Sequence, residues 1–396
     1  MNLKKFLILN SVVLVAGSSF VFGTTYEYPQ LYKDPKVLGM GGANVAVGGS
    51  FSSLFYNPAG LSKIPKEHGW EIELLNLSLA TDKNVMDFID DLDAASDVGD
   101  LDGDGDSDND ETKAINEVLE KYAGDNMHVD LNLLMSMSKK FEEVAFGVGG
   151  FASLGLNYKA HQGFGSDGFL SADALGVGGV VAGASKDYKD VTFQNYVLNN
   201  FSVGAGMKIL KYAAISHDFS VNEISEYGDN LDDYIDDADL LKEGSSTVLD
   251  LGAQYEVGPD FYAGASILNI GGVGDSSALE VPMTVNIGVG YLKRFEDRAY
   301  FNQVRFAADY IDLFYGYDQD EDFIKRTRLG AEVNAWDGWL SSGVLRAGFY
   351  QGNYTFGVDV RLSVVNLSYA TYEEEVGAYS GQDSDRRHIV NLTIGW

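Results

Sequence analysis

Cysteine is absent from the 396 residues, which excludes disulfides and thiolate metal sites. Proline is scarce at 6 residues, few for a loop-rich soluble protein. The 5 histidines, His68, His128, His161, His217 and His388, include no i, i+4 pair for a metal. Lys and Arg together number 28 against 59 Asp and Glu, for a net charge of −31. A phosphate backbone demands clustered bases, so nucleic acid is not an expected partner. Beyond the N-terminus no stretch offers the ~20 consecutive apolar residues of a spanning helix. If the chain enters a membrane, it does so as a barrel. There is also no Gly-x-Ser-x-Gly elbow and no phosphate loop. Residues 147–152, GVGGFA, imitate a dinucleotide turn, but they lie in an alternating segment with no helix following, so close strand packing explains them better. No enzyme activity is expected, with a Ser–His pair assembled by folding as the alternative.

What is present begins with a secretory pattern: Lys4 and Lys5, an apolar run over 6–15, then small residues up to Gly23. Residues 1–23 therefore read as a signal peptide. The remainder is rich in Gly (46), Tyr (23) and Phe (22), a composition suited to strands and interfacial aromatic girdles.

The stretch LGMGGANVAVGGSFSSLFYNPAGLSKI, from Leu38 to Ile64, is broken by paired glycines and by Asn57-Pro58-Ala59-Gly60 into pieces too short to fold alone. Gly41, Gly42, Gly48 and Gly49 permit positive φ, and Pro58 pushes Asn57 toward extended backbone. Such a segment needs a container. The motif resembles the N-terminal plug of the FadL-type outer-membrane family of long-chain fatty-acid and hydrocarbon transporters. With the acidic insert that follows and the C-terminal YATYEEEVGAYSGQDSDRRH, the chain is most similar to the conjugal TraF-like and PorV-like branch. The resemblance implies an all-β fold: a transmembrane antiparallel barrel of about fourteen strands (66–396) enclosing a plug (24–65). Gly39, Gly41, Gly42, Asn57, Pro58, Ala59 and Gly60 would carry the plug motif.

Strand periodicity supports a barrel independently. Met127, Val129, Leu131, Leu133, Met135 and Met137 alternate with His128, Asp130, Asn132, Ser136 and Ser138, as a strand between lipid and lumen requires. A β-sandwich strand gives the same pattern. Fifteen segments read as strands, one of them plug or loop, and fourteen is the expected number, with 164–199 the weakest region. Arg305 with Asp309, then Arg326, Arg328, Glu332 and Asn334, then Asp359 with Arg361, fall on strand faces that should point inward. They would form an ion-pair lattice or a substrate-selecting lumen. Val390, Leu392, Ile394 and the terminal Trp396 share one face of the last strand. By resemblance they form the signal read by the barrel-assembly machinery.

Two acidic inserts interrupt the strands, at 82–126 and 223–243. In the first, Val85, Phe88, Ile89 and Leu92, and again Ile115, Val118, Leu119 and Tyr122, repeat at helical spacing. Between these two helices Asp100, Asp102, Asp104, Asp106, Asp108 and Glu111 match a Ca²⁺-loop template, with Gly105 at the sharp turn. Gly99 and Ser107 depart from that template. A Ca²⁺ site and a solvated acidic loop are both open readings. In the second insert Leu231, Tyr234, Ile235 and Ala238 suggest a short surface helix or lid.

The expected protein is a bacterial outer-membrane barrel in contact with outer-membrane lipid, passing small hydrophobic molecules by passive diffusion. The alternative is a docking protein for secretion-system partners. A soluble periplasmic β protein is the remaining fold alternative.

Overall fold

The computed structural model describes residues 27–28, 30–66, 69–96, 107–161, 169–189, 191–193, 196–198, 200–227, 240–274, 280–295, 298, 300–317, 322–338 and 340–396. Fourteen antiparallel strands close into one barrel. They are β1 (Trp70–Asp82), β2 (Asn126–Phe141), β3 (Val144–His161), β4 (Phe169–Tyr188), β7 (Phe201–Ser220), β8 (Lys242–Glu256) and β9 (Phe261–Ile270). The wall continues with β10 (Thr284–Arg294), β11 (Tyr300–Tyr310), β12 (Thr327–Asp337), β13 (Ser341–Tyr350), β14 (Asn353–Leu362), β15 (Val365–Glu375) and β16 (Ser384–Gly395). Closure comes from pairing the first strand with the last, Asp82 opposite Arg387 and Leu77 opposite Leu392.

The fifteenth segment of the sequence, 191–199, is not in the wall. It folds as a two-stranded hairpin of its own, β5 (Val191–Phe193) with β6 (Tyr196–Leu198), while β4 pairs directly with β7. Three-residue strands cannot reach across a membrane.

Alternation runs inside out, as a lipid-embedded wall demands. On β2 the polar residues His128, Asp130, Asn132, Ser136 and Ser138 are buried in the lumen, whereas Met135 and Met137 are exposed on the outside. Leu79, Val180, Ile209, Leu249, Val289, Leu367 and Val390 extend that exposed apolar belt around the barrel. Aromatic rings gather near its rims, as in the Trp70–Phe141–Phe146 cluster with centroids 5.2–6.2 Å apart. Amphipathic rings settle at a bilayer boundary, where one end is apolar and the other wet. Val390 is exposed on the lipid face of β16, Trp396 is exposed just past its end, and Asn391 and Thr393 are buried.

The two ends of the barrel differ. Short turns such as 142–143, 351–352 and 363–364 occur at both, but the helical insertions lie at one end only, opposite the start of β1 and the end of β16. There α2 (Val85–Ser96) and α3 (Ser107–Lys121) bury Phe88, Ile89 and Leu92 against Ile115, Leu119 and Tyr122. A further helix, α4 (Val221–Tyr227), follows β7 and adds Val221 to the same apolar cluster, which rests on Met127, Ala160 and Leu170 of the wall. The helical spacing read in the sequence over 85–92 and 115–122 therefore forms one cap over β2, β3, β4 and β7. Residues 228–239, with the predicted lid, lie outside the described residues.

Candidate functional site: a plug between two kinds of wall

The plug is built from three short helical pieces. Helix α1 (Pro35–Gly39) starts at Asp34, whose side chain accepts the Lys36 amide at 2.9 Å, with proline at the first helical position. The same device opens the 3₁₀ turn Pro58–Lys63, where Asn57 is extended (φ −159°, ψ 107°) and accepts the Ala59 amide at 3.1 Å. A second 3₁₀ turn, Phe51–Phe55, lies between them. Pro58 thus sets Asn57 as the sequence suggests, and frees its amide to tie the plug together: Nδ2 donates to Val45 O at 2.7 Å and to Ala253 O of the wall at 3.2 Å.

Glycine lets backbone touch backbone where plug and wall meet. A Cβ on Gly39 would lie 2.9 Å from the Gly357 Cα of β14, and Gly41, at φ +65°, would place one 2.0 Å from Leu329 O of β12. Both contacts forbid a side chain. Between them Thr355 donates to Gly39 O and accepts from the Gly41 amide, each at 3.1 Å.

One side of the lumen is apolar. Leu31, Tyr32, Phe51, Leu54, Phe55, Leu61 and Ile64 of the plug pack on Leu134, Phe151, Val177, Val181, Leu210, Tyr212 and Val248 of β2, β3, β4, β7 and β8. Phe55 meets Tyr32 at 4.9 Å and Phe151 edge-on at 5.2 Å between centroids. Leu134 and its partners on neighbouring strands are inward apolar residues that the polar–apolar alternation of the sequence does not reveal. The available signal is a strand with apolar residues on both faces, as at Leu133-Leu134.

The other side is charged. Asp309 of β11 accepts the Asn44 and Val45 amides at 2.6 and 2.7 Å. Glu332 bridges Arg305 at 2.9 Å and Arg346 at 2.7 Å, and Arg346 also contacts Asp359. Arg326 meets Asp312 at 3.3 Å. One buried pair, Lys208 with Asp250 at 2.7 Å, stands instead on the apolar side, on β7 and β8. At the plug's first described residues, Glu27 receives Lys33 at 2.6 Å and a two-pronged contact from Arg387 at 3.0 and 3.1 Å. Ion pairs expected of Arg305, Arg326, Glu332 and Asp359 are thus present, whereas Asp309 takes plug amides in place of Arg305 and Arg328 donates to the Lys325 and Thr327 carbonyls. Arg361 is an exception: it sits at the rim, exposed, 3.9 Å from Asp337.

Near the apolar side, on the long-loop side of the plug, lies a cavity of about 80 Å³ whose lining includes Leu31, Tyr32, Phe55, Leu268, Val281 and Ile311. A cavity of about 50 Å³ is bordered by Glu27, Lys33, His128, Asp130 and Asn157 and also by Leu31, Leu175 and Val281.

The remaining sequence candidates distribute unevenly. Asp100, Asp102, Asp104 and Asp106 fall outside the described residues. Helix α3 begins at Ser107, so Asp108 and Glu111 lie on its first turns. Asp91 of α2 receives hydrogen bonds from Lys121 at 2.5 Å and Tyr122 at 2.6 Å, which hold its carboxyl below the usual carboxylate range.

Comparisons with known proteins agree with this architecture. Residues 54–272 match the family model described as F plasmid transfer operon, TraF, protein. Among solved structures, the Ralstonia pickettii toluene transporter TbuX aligns with a TM-score of 0.52 at 14% identity, covering 93% of this chain and 98% of its own. The Pseudomonas putida toluene transporter TodX gives 0.52 at 13% identity, covering 96% and 99%. The CymD monoaromatic hydrocarbon channel gives 0.51 at 13%, covering 93% and 98%. At these identities the likeness is one of fold. No curated protein matches the sequence.

Proposed function

Because the chain belongs to the family of the F plasmid transfer operon TraF protein, and shares its barrel fold with hydrocarbon transporters, we propose that it is an outer-membrane channel for passive passage of small hydrophobic molecules. The observation that carries this reading is the segregation of the lumen. Apolar plug residues meet apolar wall on β2–β4, β7 and β8, while the Arg305–Glu332–Arg346 bridge and the wall partners of Lys33 and Glu27, Glu374 and Arg387, stand on β11–β16, with Lys63–Glu256 and Lys208–Asp250 the pairs that fall on β7 and β8. A hydrophobic solute can follow the apolar seam past Leu31, Tyr32 and Phe55 without stripping charges of their partners. No residue performs chemistry in this scheme. The test is uptake of labelled toluene and of a labelled long-chain fatty acid into proteoliposomes, with Phe55→Asp in the seam. Uptake above empty liposomes that Phe55→Asp reduces supports the channel; equal uptake in both sinks it.

Docking to a transfer or secretion apparatus is the second reading, favoured by family membership and by the acidic α2–α3 cap at the long-loop end. Capture of defined transfer-apparatus proteins by the intact barrel, lost when residues 83–125 are replaced by a short turn, would move the assignment there.

Within that cap, the Asp100–Glu111 tract is our candidate Ca²⁺ site. Support comes from the helix on either side, packed through Phe88 and Tyr122 at 5.3 Å, and from the oxygen-rich ligand order that a hard cation selects. Terbium luminescence should titrate at about 10⁻⁴–10⁻³ M, as extracellular modules do. A signal unchanged by Asp100→Ala with Glu111→Ala would remove the assignment. By resemblance, Val390, Leu392, Ile394 and Trp396 remain the proposed insertion signal, and loss of Trp396 should lower barrel yield in the membrane.

A further inference from the structure

At the short-turn end, on the opposite side of the plug from the helical cap, lies a chamber of about 350 Å³, the largest of the three described cavities. It is bounded by the last residue of β8, the second residue of β9 and the last of β10, together with the underside of α1 and the following loop. Its charge is out of keeping with the chain. Lys36, Lys63, Arg294, Arg305 and Arg346 line it, in a protein of net charge −31. The acids in the lining are Asp34, Glu256 and Glu332. They are committed: Asp34 caps α1, Glu256 holds Lys63 at 2.7 Å, and Glu332 holds Arg305 and Arg346. Lys36 acts on Glu332 through its charge, and Arg294 bonds through Nε to the neutral Gln303 at 3.2 Å.

Lys36 thus shares Glu332 with Arg305 and Arg346, and Arg294 makes no ion pair among the described residues, so a surplus of positive charge faces the chamber in a cleft whose walls concentrate the field. Apolar groups stand beside these cations: Met40 and Ala43 pack together on the plug with Val47 against them, and the rings of Tyr262 and Tyr291 border the space. Charge next to apolar surface is the pattern of a site for an amphiphilic ligand. Meanwhile Asp87, Asp90, Asp91, Asp93, Glu117 and Glu120 of the cap helices stand at the far end. An anion would be repelled there and attracted here.

We propose that this chamber binds a compact organic anion, a carboxylate carried on an aromatic or short aliphatic body, from the short-turn side of the plug, with Lys36 and Arg294 holding the carboxylate. Binding here does not depend on transport. An equilibrium measurement registers it whether or not any solute crosses, so failure of the site and failure of the channel reading are distinguishable.

The experiment uses the full barrel in phosphatidylcholine nanodiscs, titrated calorimetrically with benzoate, benzyl alcohol, benzylammonium and sulfate against empty nanodiscs. Benzoate should bind at least about tenfold more tightly than its neutral and cationic counterparts and than sulfate, about 1.4 kcal/mol. Lys36→Gln with Arg294→Gln should remove that preference, whereas Lys121→Gln on α3 should leave it intact. Heat-modifiable migration confirms that each variant remains a folded barrel, and Lys36→Arg should retain binding if the double variant does not fold. Equal binding of benzoate and benzyl alcohol, sulfate binding as tight as benzoate, or a preference that survives the double substitution would overturn the assignment.

Discussion

Plug residues Asn57 and Tyr56 bond to wall residues 196 and 210 positions away, whereas α2 and α3 hold each other through Asp91 across 30 and 31 positions. Both segments cover part of the lumen. The plug does so with polar groups that find their partners on the wall, and the cap with apolar stripes that its own two helices can bury. The plug's contacts therefore need the assembled wall, while the cap is a local unit resting on β2–β4 and β7. The difference suggests that damage on the plug side will be global and damage in the cap confined.

The sharpest challenge to that contrast is Lys208→Ala, which leaves Asp250 buried without its cation. It should destabilise the barrel by about 3–5 kcal/mol, and pairing it with Asp250→Leu should recover most of the loss, read by denaturant unfolding. Next is Asp309→Ala, which strips the Asn44 and Val45 amides of their acceptor. Removing those bonds should weaken plug docking by about 3 kcal/mol and raise the rate of liposome swelling with small polar solutes. An intact swelling barrier would show that the apolar seam alone retains the plug. Leu119→Ala, in the cap, should cost about 2–3 kcal/mol, seen as faster hydrogen exchange in α2 and α3 with wall amides unchanged. Spread of that effect to β11–β16 would erase the distinction.

Smaller effects refine it. Asp322 caps a one-turn helix, α5 (Phe323–Arg326), accepting the Ile324 and Lys325 amides at 2.6 and 3.0 Å and the Ser380 amide at 3.1 Å across the loop end. Burial pushes its carboxyl up, but these backbone donors outweigh that and hold it below the usual range. A depressed folded pKa means the contribution is complete above the unfolded value of about 3.9 and is lost as pH falls through the folded one. Exchange at those three amides should accelerate only in that acidic window. Last, Lys121→Gln removes an exposed partner of Asp91 and should leave the unfolding midpoint unchanged.

The contrast also explains what could be read without coordinates. Alternation over 127–138 and the helical stripes over 85–92 and 115–122 are local patterns, and their elements follow from them. So does the geometry of Asn57, because Pro58 acts on its immediate neighbour. Yet 191–199 looks like one more strand, because a short hairpin outside the wall uses the same residue types as a short strand within it. Predicted to begin as strand, Ile324 instead lies in α5, where the Asp322 cap has captured the turn.

Inward pairing was partly legible: Arg305, Glu332 and Asp359 could be placed on lumen faces, but Arg346 as the bridge between Glu332 and Asp359 depends on the register of β12 with β13 and of β13 with β14. Likewise, nothing near Leu134, Val181 or Leu210 in the chain announces that they share an apolar wall. Period-two alternation determined the strands, the turn at Asn57-Pro58 the local course of the plug and the helical stripes the cap, because each is a preference exerted over a few bonds. Only closure of the sheet decided which charges pair, which half of the lumen stays apolar and which cations are left facing an open chamber. Those outcomes depend on strand register and on the meeting of residues hundreds of positions apart.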